Sequence, residues 1–339
     1  MDPLSQAVVG ATLAGVVCRK KEWMRPALIA GVVGGMLPDI DILIKSSSDP
    51  LLTLQYHRHF THAFFFAPIG GLVAAALCIP RYKKYVPFLW LYIFATLGYA
   101  THGILDSMTN YGTHLWWPFT NARESWNNIS IIDPVFTLTL LGLVITAAIT
   151  QARKYMLIAA CFALSYFALG FYQYHNAKEA LIGLAKERGH QYERLLVKPS
   201  LGNNLAWRIQ YEYQGRYYID AVHVSPWQGI KYYKGGSLKA FTLDDAKRLV
   251  PEGSKNYYDI KRFAHFSDNW LMQQDDNPNI IADARFSSLP YGLRPLWGIR
   301  LKPHEPDTHV DRISFSRERT KHNFTLLWKM IKGEDLPQE

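Results

Sequence analysis

Long apolar runs, interrupted at intervals, pattern the first half of the chain. They cover residues 3–18 ("PLSQAVVGATLAGVVC"), 27–44 ("ALIAGVVGGMLPDIDILI"), 63–80, 86–105, 132–149 and 155–172. Each is close to the ~20 residues that carry a helix across about 30 Å of hydrocarbon. The third and fourth read as clear spans. The first is short and rich in small residues, and the second is broken by Pro38, Asp39 and Asp41. These two are expected as spans or as half-helices of a re-entrant pair. The pattern predicts five or six crossings. Beyond residue 175 the period falls to two, and "YERLLVKP", "NLAWRIQYEY" and "RYYIDAVHVS" alternate like antiparallel strands, with Gly215 in the turn between the last two. "TLDDAKRLV" opens on a Thr cap with acids behind it, a helix start. Further helices are expected at 255–266 and 321–332, and strands near 280–286, 294–301 and 311–316. The expected fold is a membrane α-helical bundle over 1–175 followed by a soluble α+β domain over 176–339.

Charge sharpens that division. Hydrophobic residues make up 49% of the chain and charged residues 19%, but of 65 Lys, Arg, Asp and Glu only 20 precede Lys178. The net charge of +9 is shared almost evenly, and no basic cluster exceeds three residues, so nucleic acid is not an expected partner. Cys18, Cys78 and Cys161 all lie in or beside apolar segments, which argues against a disulfide framework or a cysteine-rich zinc site. The first segment does not read as a cleavable signal, because positive charge follows it instead of preceding it. Lys and Arg concentrate on alternate connections: Arg19, Lys20, Lys21 and Arg25; then Arg81, Lys83 and Lys84; then Arg153 and Lys154. The two longer intervening loops hold only Lys45, Arg58 and Arg123. The positive-inside rule makes the basic connections cytoplasmic. Loops 45–62 and 106–131, and the soluble half, then face outward, which in a multi-pass inner-membrane protein is the periplasm.

The few polar residues of the membrane half gather on that outward side. Asp39 and Asp41 end the second segment, His57, His59 and His62 precede the third, and His102 and Asp106 end the fourth. The i, i+4 spacing of His102 and Asp106 puts both on one helical face. Imidazole with carboxylate suits zinc or a similar divalent ion, and ionisable groups at membrane depth are costly enough to be kept for function. Each element alone has a plainer reading, as a helix-ending turn, an interfacial belt or a buried pair. Three on one face favour a metal site. His114 and His175 read as interfacial residues, and the histidines of the soluble half show no ligand spacing.

Pro38–Asp41, His57/Arg58 with Thr61/His62, and His102/Asp106 followed by Thr109 and Gly112 together resemble the YdjM-like family of inner-membrane metal-dependent hydrolases. The resemblance covers roughly residues 1–175. The middle element departs from it: His57 and His59 both flank Arg58, which leaves the ligand on that side open, and Ala63 stands where a Ser often follows. The family is grouped more distantly with zinc-dependent phospholipase C and related nucleases. The resemblance implies phosphoester hydrolysis with two or more divalent ions, zinc or manganese. Asp39, Asp41, His62, His102 and Asp106 would hold them, with His57 or His59 completing a shell.

The expected function is hydrolysis of a phosphoester or pyrophosphate on a membrane lipid at the outer face of the inner membrane. Asp39, Asp41 and Arg58 would carry the chemistry, the last by gripping a phosphate oxygen. The loop 112–130, with Trp116, Trp117 and Trp126, reads as an interfacial belt or a lipid-facing lid. Two other classes stay open. A non-catalytic envelope protein with a structural metal predicts a closed four-ligand shell. A transporter predicts polar groups on both membrane faces and an internal repeat, and neither is visible. The sequence names no protein partner.

Overall fold

Six apolar helices form where the pattern places the apolar runs. The structure, a computed structural model, describes residues 1–225, 227–315 and 321–337. The helices are α1 (Pro3–Val17), α2 (Met24–Met36), a short α3 (Leu52–Tyr56) in the following loop, α4 (Ala67–Tyr82), α5 (Phe88–Ser107), α6 (Pro134–Thr150) and α7 (Lys154–Glu187). Among the described residues, four stretches are long and apolar enough to cross a membrane: Lys21–Leu43, Phe64–Tyr82, Phe88–Ser107 and Lys154–Glu187. α1 and α6 are equally apolar but shorter. The chain divides into two compact units.

The first unit comprises Met1–Leu43, Tyr56–Tyr172 and Leu201–Asn203. Its core mixes small residues with large ones such as Leu91, Phe94 and Phe136, while much of its outer surface is apolar. Ala11, Ala14, Ala27 and Ala30 are fully buried, while Leu138, Ile149 and Leu164 are more than 60% exposed. In lipid no hydrophobic force draws large side chains inward, so small residues take the helix contacts and bring backbones close. The α1–α2–α5 contact depends on this. A Cβ on Gly31 would stand 2.5 Å from the Gly10 carbonyl oxygen, and one on Gly98 would stand 2.3 Å from that of Gly31. α2 does not run on to the end of its apolar segment. Pro38 has no N–H to give the preceding turn, and Leu37–Leu43 tightens into a 3-10 helix. Asp39 and Asp41 sit in that tight stretch.

The second unit comprises Ile44–Gln55, Gln173–Ser200 and Asn204 onward. β1 (Arg194–Pro199), β2 (Ala206–Tyr213), β3 (Arg216–Ser225) and β4 (Gly229–Lys239) form an antiparallel meander in that order. Gln214 and Gly215, both at positive φ, make the β2–β3 turn, the backbone that a two-residue hairpin favours. Ala177, Leu181 and Ala185 of α7 pack on one face of this sheet against Val197, Trp207 and Val222. α8 (Leu243–Leu249) starts at the expected Thr242, whose side chain exchanges hydrogen bonds with Asp245. α9 (Lys255–Phe266) follows. β5 (Leu271–Gln273), β6 (Ile280–Asp283), β7 (Trp297–Arg300) and β8 (Asp311–Ser314) form a second antiparallel meander, and α10 is Lys321–Ile331. The last residue of the expected strand 311–316 lies outside the described residues. β4 and β5 were not expected from the sequence.

Candidate metal centre

The 3-10 turn after α2, the loop before α4 and the last turns of α5 bring most of the singled-out residues together. His102 and Asp106 stand one turn apart on α5 and are fully buried, as is His62. A Cβ on Gly103 would come within 2.0 Å of the His62 carbonyl oxygen, so only glycine lets the His62 backbone approach α5 this closely.

Each imidazole is aimed by the bond its Nδ1 makes. His102 Nδ1 donates to the Gly35 carbonyl at 2.6 Å. His62 Nδ1 lies 3.1 Å from Thr61 Oγ1, whose hydroxyl donates to Asp41 Oδ2 at 2.9 Å, and 3.1 Å from that carboxylate oxygen itself. A ring that donates through Nδ1 presents a lone pair at Nε2. The two Nε2 atoms face each other at 3.0 Å, and Asp39 Oδ1 lies 3.4 Å from both. Asp106 Oδ2 is 3.5 Å from His62 Nε2 and 3.9 Å from His102 Nε2. Donors held about 2.0–2.1 Å from one tetrahedral ion stand roughly 3.3 Å apart. The residues therefore fit a divalent ion in both donor chemistry and spacing. The same crowd of acceptors shows in the titration of His62. Burial opposes its charged form, but the Asp39 and Asp41 carboxylates outweigh burial and raise its pKa.

The donors are not equivalent. Asp106 Oδ2 forms an ion pair with Arg58 Nε at 2.9 Å, and Oδ1 accepts from Gln6 Nε2 at 2.9 Å and from the Met1 amino group. Asp41 is spent in another way. Its oxygens receive His57 Nδ1 at 2.8 Å, the Arg58 backbone N–H at 3.0 Å and Thr61 Oγ1 at 2.9 Å, besides His62. Asp41 thus organises the 57–62 loop. Arg58 sits at φ +64 and is buried, with Nη1 donating to Thr109 Oγ1 at 3.1 Å and the guanidinium over the Tyr111 ring. The left-handed turn at Arg58 separates its neighbours. His57 points to the carboxylates and groups with Asp39 and His62 as possible ligands. His59 packs instead against His114 at 4.6 Å and Trp117 at 5.6 Å. Asp39 and His57, about one third exposed, are the open side of the cluster.

Gln6 was not singled out from the sequence, although a lone amide in an apolar helix is the signal that marks it. The 112–130 loop is tied down by the Trp126 N–H to the Ser107 carbonyl, and its Trp116 and Phe119 join Phe64 and Phe65 in an exposed aromatic patch. The second unit holds another possible ligand group, Asp49, Asp259 and His309. There Arg262 bridges the two carboxylates, with Nη1 to Asp259 at 2.9 Å and both Nη atoms to Asp49 at 3.0 and 2.9 Å.

The profile of the YdjM inner membrane protein family matches residues 1–177. The chain is similar to the uncharacterized protein YfhP of Bacillus subtilis (strain 168), with 26% identity over 140 residues, 40% of this chain and 42% of that protein. It is also similar to the inner membrane protein YbcI of Escherichia coli (strain K12), with 31% identity over 108 residues, 31% of this chain and 61% of that protein. The matched region covers less than two thirds of either relative. No solved structure matches.

Proposed function

Because the chain belongs to the YdjM inner membrane protein family, we propose that its cluster of facing imidazoles and carboxylates is the centre of a metal-dependent hydrolase. The substrate class is a phosphoester or pyrophosphate of a membrane lipid, cleaved at the periplasmic face. One observation carries this reading: His62 Nε2, His102 Nε2 and Asp39 Oδ1 converge with no other task, while Asp106 is already engaged by Arg58 and Gln6. Two imidazoles and one carboxylate are the ligand class of catalytic zinc, which keeps a position open for substrate. A bound divalent ion, zinc or manganese, supplies Lewis acidity to an anionic ester. Asp39, His57 and His62 form a second group of possible ligands, sharing His62 with the group His62, His102 and Asp106, and would hold any second ion.

The remaining work falls to the chain's own groups. Asp41 holds His62 in the tautomer that frees Nε2, and the Gly35 carbonyl does the same for His102. Asp106 and Thr109 fix the buried Arg58 beside the cluster, where its guanidinium would meet a phosphate oxygen brought to the imidazoles. An apolar tail would stay in the bilayer while the head group reaches Asp39 and His57 from the open side.

The structural-ion alternative requires Asp106 to leave Arg58 and close a four-ligand shell. Full-length protein purified in detergent, analysed for metal and then assayed on lipid phosphoesters with and without chelator, tests the proposal. Bound metal and chelator-sensitive hydrolysis are expected. A metal-loaded protein that cleaves nothing across a broad lipid panel would leave the structural ion as the reading.

A further inference from the structure

The two arms of the metal centre, 37–43 and 57–62, are joined by a segment that folds with the second unit. Ile44–Gln55 belongs to that unit and is anchored there at two points. Leu51, 1% exposed, sits in a core with Phe241, Ile260, Phe263, Ile281 and Val310. Two residues earlier, Asp49 receives both terminal nitrogens of Arg262, at 3.0 and 2.9 Å. Arg262 is itself held by Asp259, which accepts from His309 Nδ1 at 2.8 Å and from the Val310 N–H at 3.1 Å. Asp49 also caps its own turn by accepting from the Leu51 N–H at 3.0 Å.

We infer that Asp49 and Arg262 are positioning residues for the metal centre, fixing the segment that sets the separation of its two arms. A bidentate carboxylate–guanidinium pair is directional, and at 10% and 19% side-chain exposure it is partly shielded from solvent. The linker is short: Asp41, which orients His62, and His57, which binds Asp41, are separated by 15 residues. Asp49 stands eight residues after Asp41 and Leu51 six before His57, and Thr53 Oγ1 donates to the Ile44 carbonyl at 2.9 Å, which ties the two ends of the segment together. Released, the linker would let the 57–62 loop move away from Asp41, and the His62 lone pair would lose its aim. The soluble unit would then be needed for a well-formed metal site while contributing no ligand to it.

The inference rests on the metal reading above, and cobalt binding separates the two. Full-length protein in detergent is titrated with Co(II), whose visible absorption reports both affinity and donor geometry. Arg262→Ala and Asp49→Asn should each weaken binding by roughly tenfold, the low end of the cost of losing a group that orients a ligand. They should also alter the shape of the cobalt spectrum. The exchange Asp49→Arg with Arg262→Asp should restore part of both. If the parent binds Co(II) and the folded Asp49→Asn variant matches it in affinity and spectrum, the pair is a local tie and the inference fails alone. A parent that binds no Co(II) would overturn the metal reading and this inference with it.

Discussion

His62 and His102 acquire their roles from what lies behind them. Each ring has an oxygen within hydrogen-bond reach of its Nδ1, and the two Nε2 atoms face each other beside Asp39. On the proposed metal reading this separates ligands from supports among residues the sequence could only group. Polar side chains in apolar segments were legible because nothing else in those segments resembles them. Which of the two histidines flanking Arg58 faces the carboxylates was not legible, since the left-handed turn at Arg58 decides it. Nor was the division of labour between Asp39 and Asp41, which depends on the 3-10 turn. The distinction is measurable. His102→Ala and Asp39→Ala should abolish stoichiometric zinc in metal analysis, whereas Asp41→Asn should retain zinc at about 10–100-fold lower affinity. Equal losses in all three would make Asp41 a ligand. A second residue-scale case lies in the second unit. Lys198 is buried with its ammonium 3.5 Å from the Phe286 ring centroid. It pairs across the sheet with Arg208, and the nearby Asp283 is taken by Arg285. Burial first, then Arg208, pushes the Lys198 pKa well below its ordinary value. The unfolded chain therefore binds a proton that the folded one resists between the two pKa values, so stability rises with pH up to about 10.4. Lys198→Met should remove that rise and, where the ammonium is charged, stabilise the unit by about 1–4 kcal/mol in denaturant melts. A destabilised variant would show that the amine has a task.

At the scale of elements, the helices followed the apolar runs because in lipid every backbone group must bond within its own helix. Their ends and contacts were harder to read. α7 continues to Glu187, well past its apolar run, because Ala177, Leu181 and Ala185 give its polar half a face for the first sheet. β2, β3, α8 and α9 were readable from alternation and caps. β4 was not, since "KYYKGGSLK" mixes Lys and Gly, and its pairing shifts register between Ile219 and Ala221. β5, three residues long, gave no period to detect. The glycines of α2 and α5 looked merely small until their neighbours were known. Gly98→Ala should cost about 1–3 kcal/mol, as overpacking does, and should lower metal content too, because α2 and α5 carry the centre. Gly142, whose added Cβ would meet nothing within 4 Å, supplies the control, and Gly142→Ala should change neither. Thermal aggregation of both variants in detergent, read beside their zinc content, makes the comparison. Equal behaviour would show that the close approach of α2 to α5 is not required.

For the whole molecule, the question is which side of the membrane holds the centre. The loop charges place the basic connections inside, and the helix ends of the first unit agree with a single consistent end. Arg25, just inside the start of α2, donates to the Ala148 carbonyl near the end of α6, at 2.8 Å. Arg153, just before α7, donates to the Val16 carbonyl near the end of α1, at 2.7 Å. Two basic residues thus bond the exposed carbonyls of helices that end beside them, a placement the helix dipole favours. The metal centre is built from the opposite ends: the start of α1 through Gln6, the turn after α2, the loop before α4 and the last turns of α5. The proposed periplasmic face of the centre rests on that polarity, read with the positive-inside rule. An alkaline phosphatase reporter, active only outside the cytoplasm, should therefore be inactive when fused at Lys83 and active when fused after residue 339. A fluorescent reporter that matures only inside should give the reverse. Both fusions reporting the same side would break the alternation from which the orientation is argued. A clean inversion would keep the bundle and its metal centre but turn them toward the cytoplasm, and the lipid substrate would then have to be one presented on the inner leaflet.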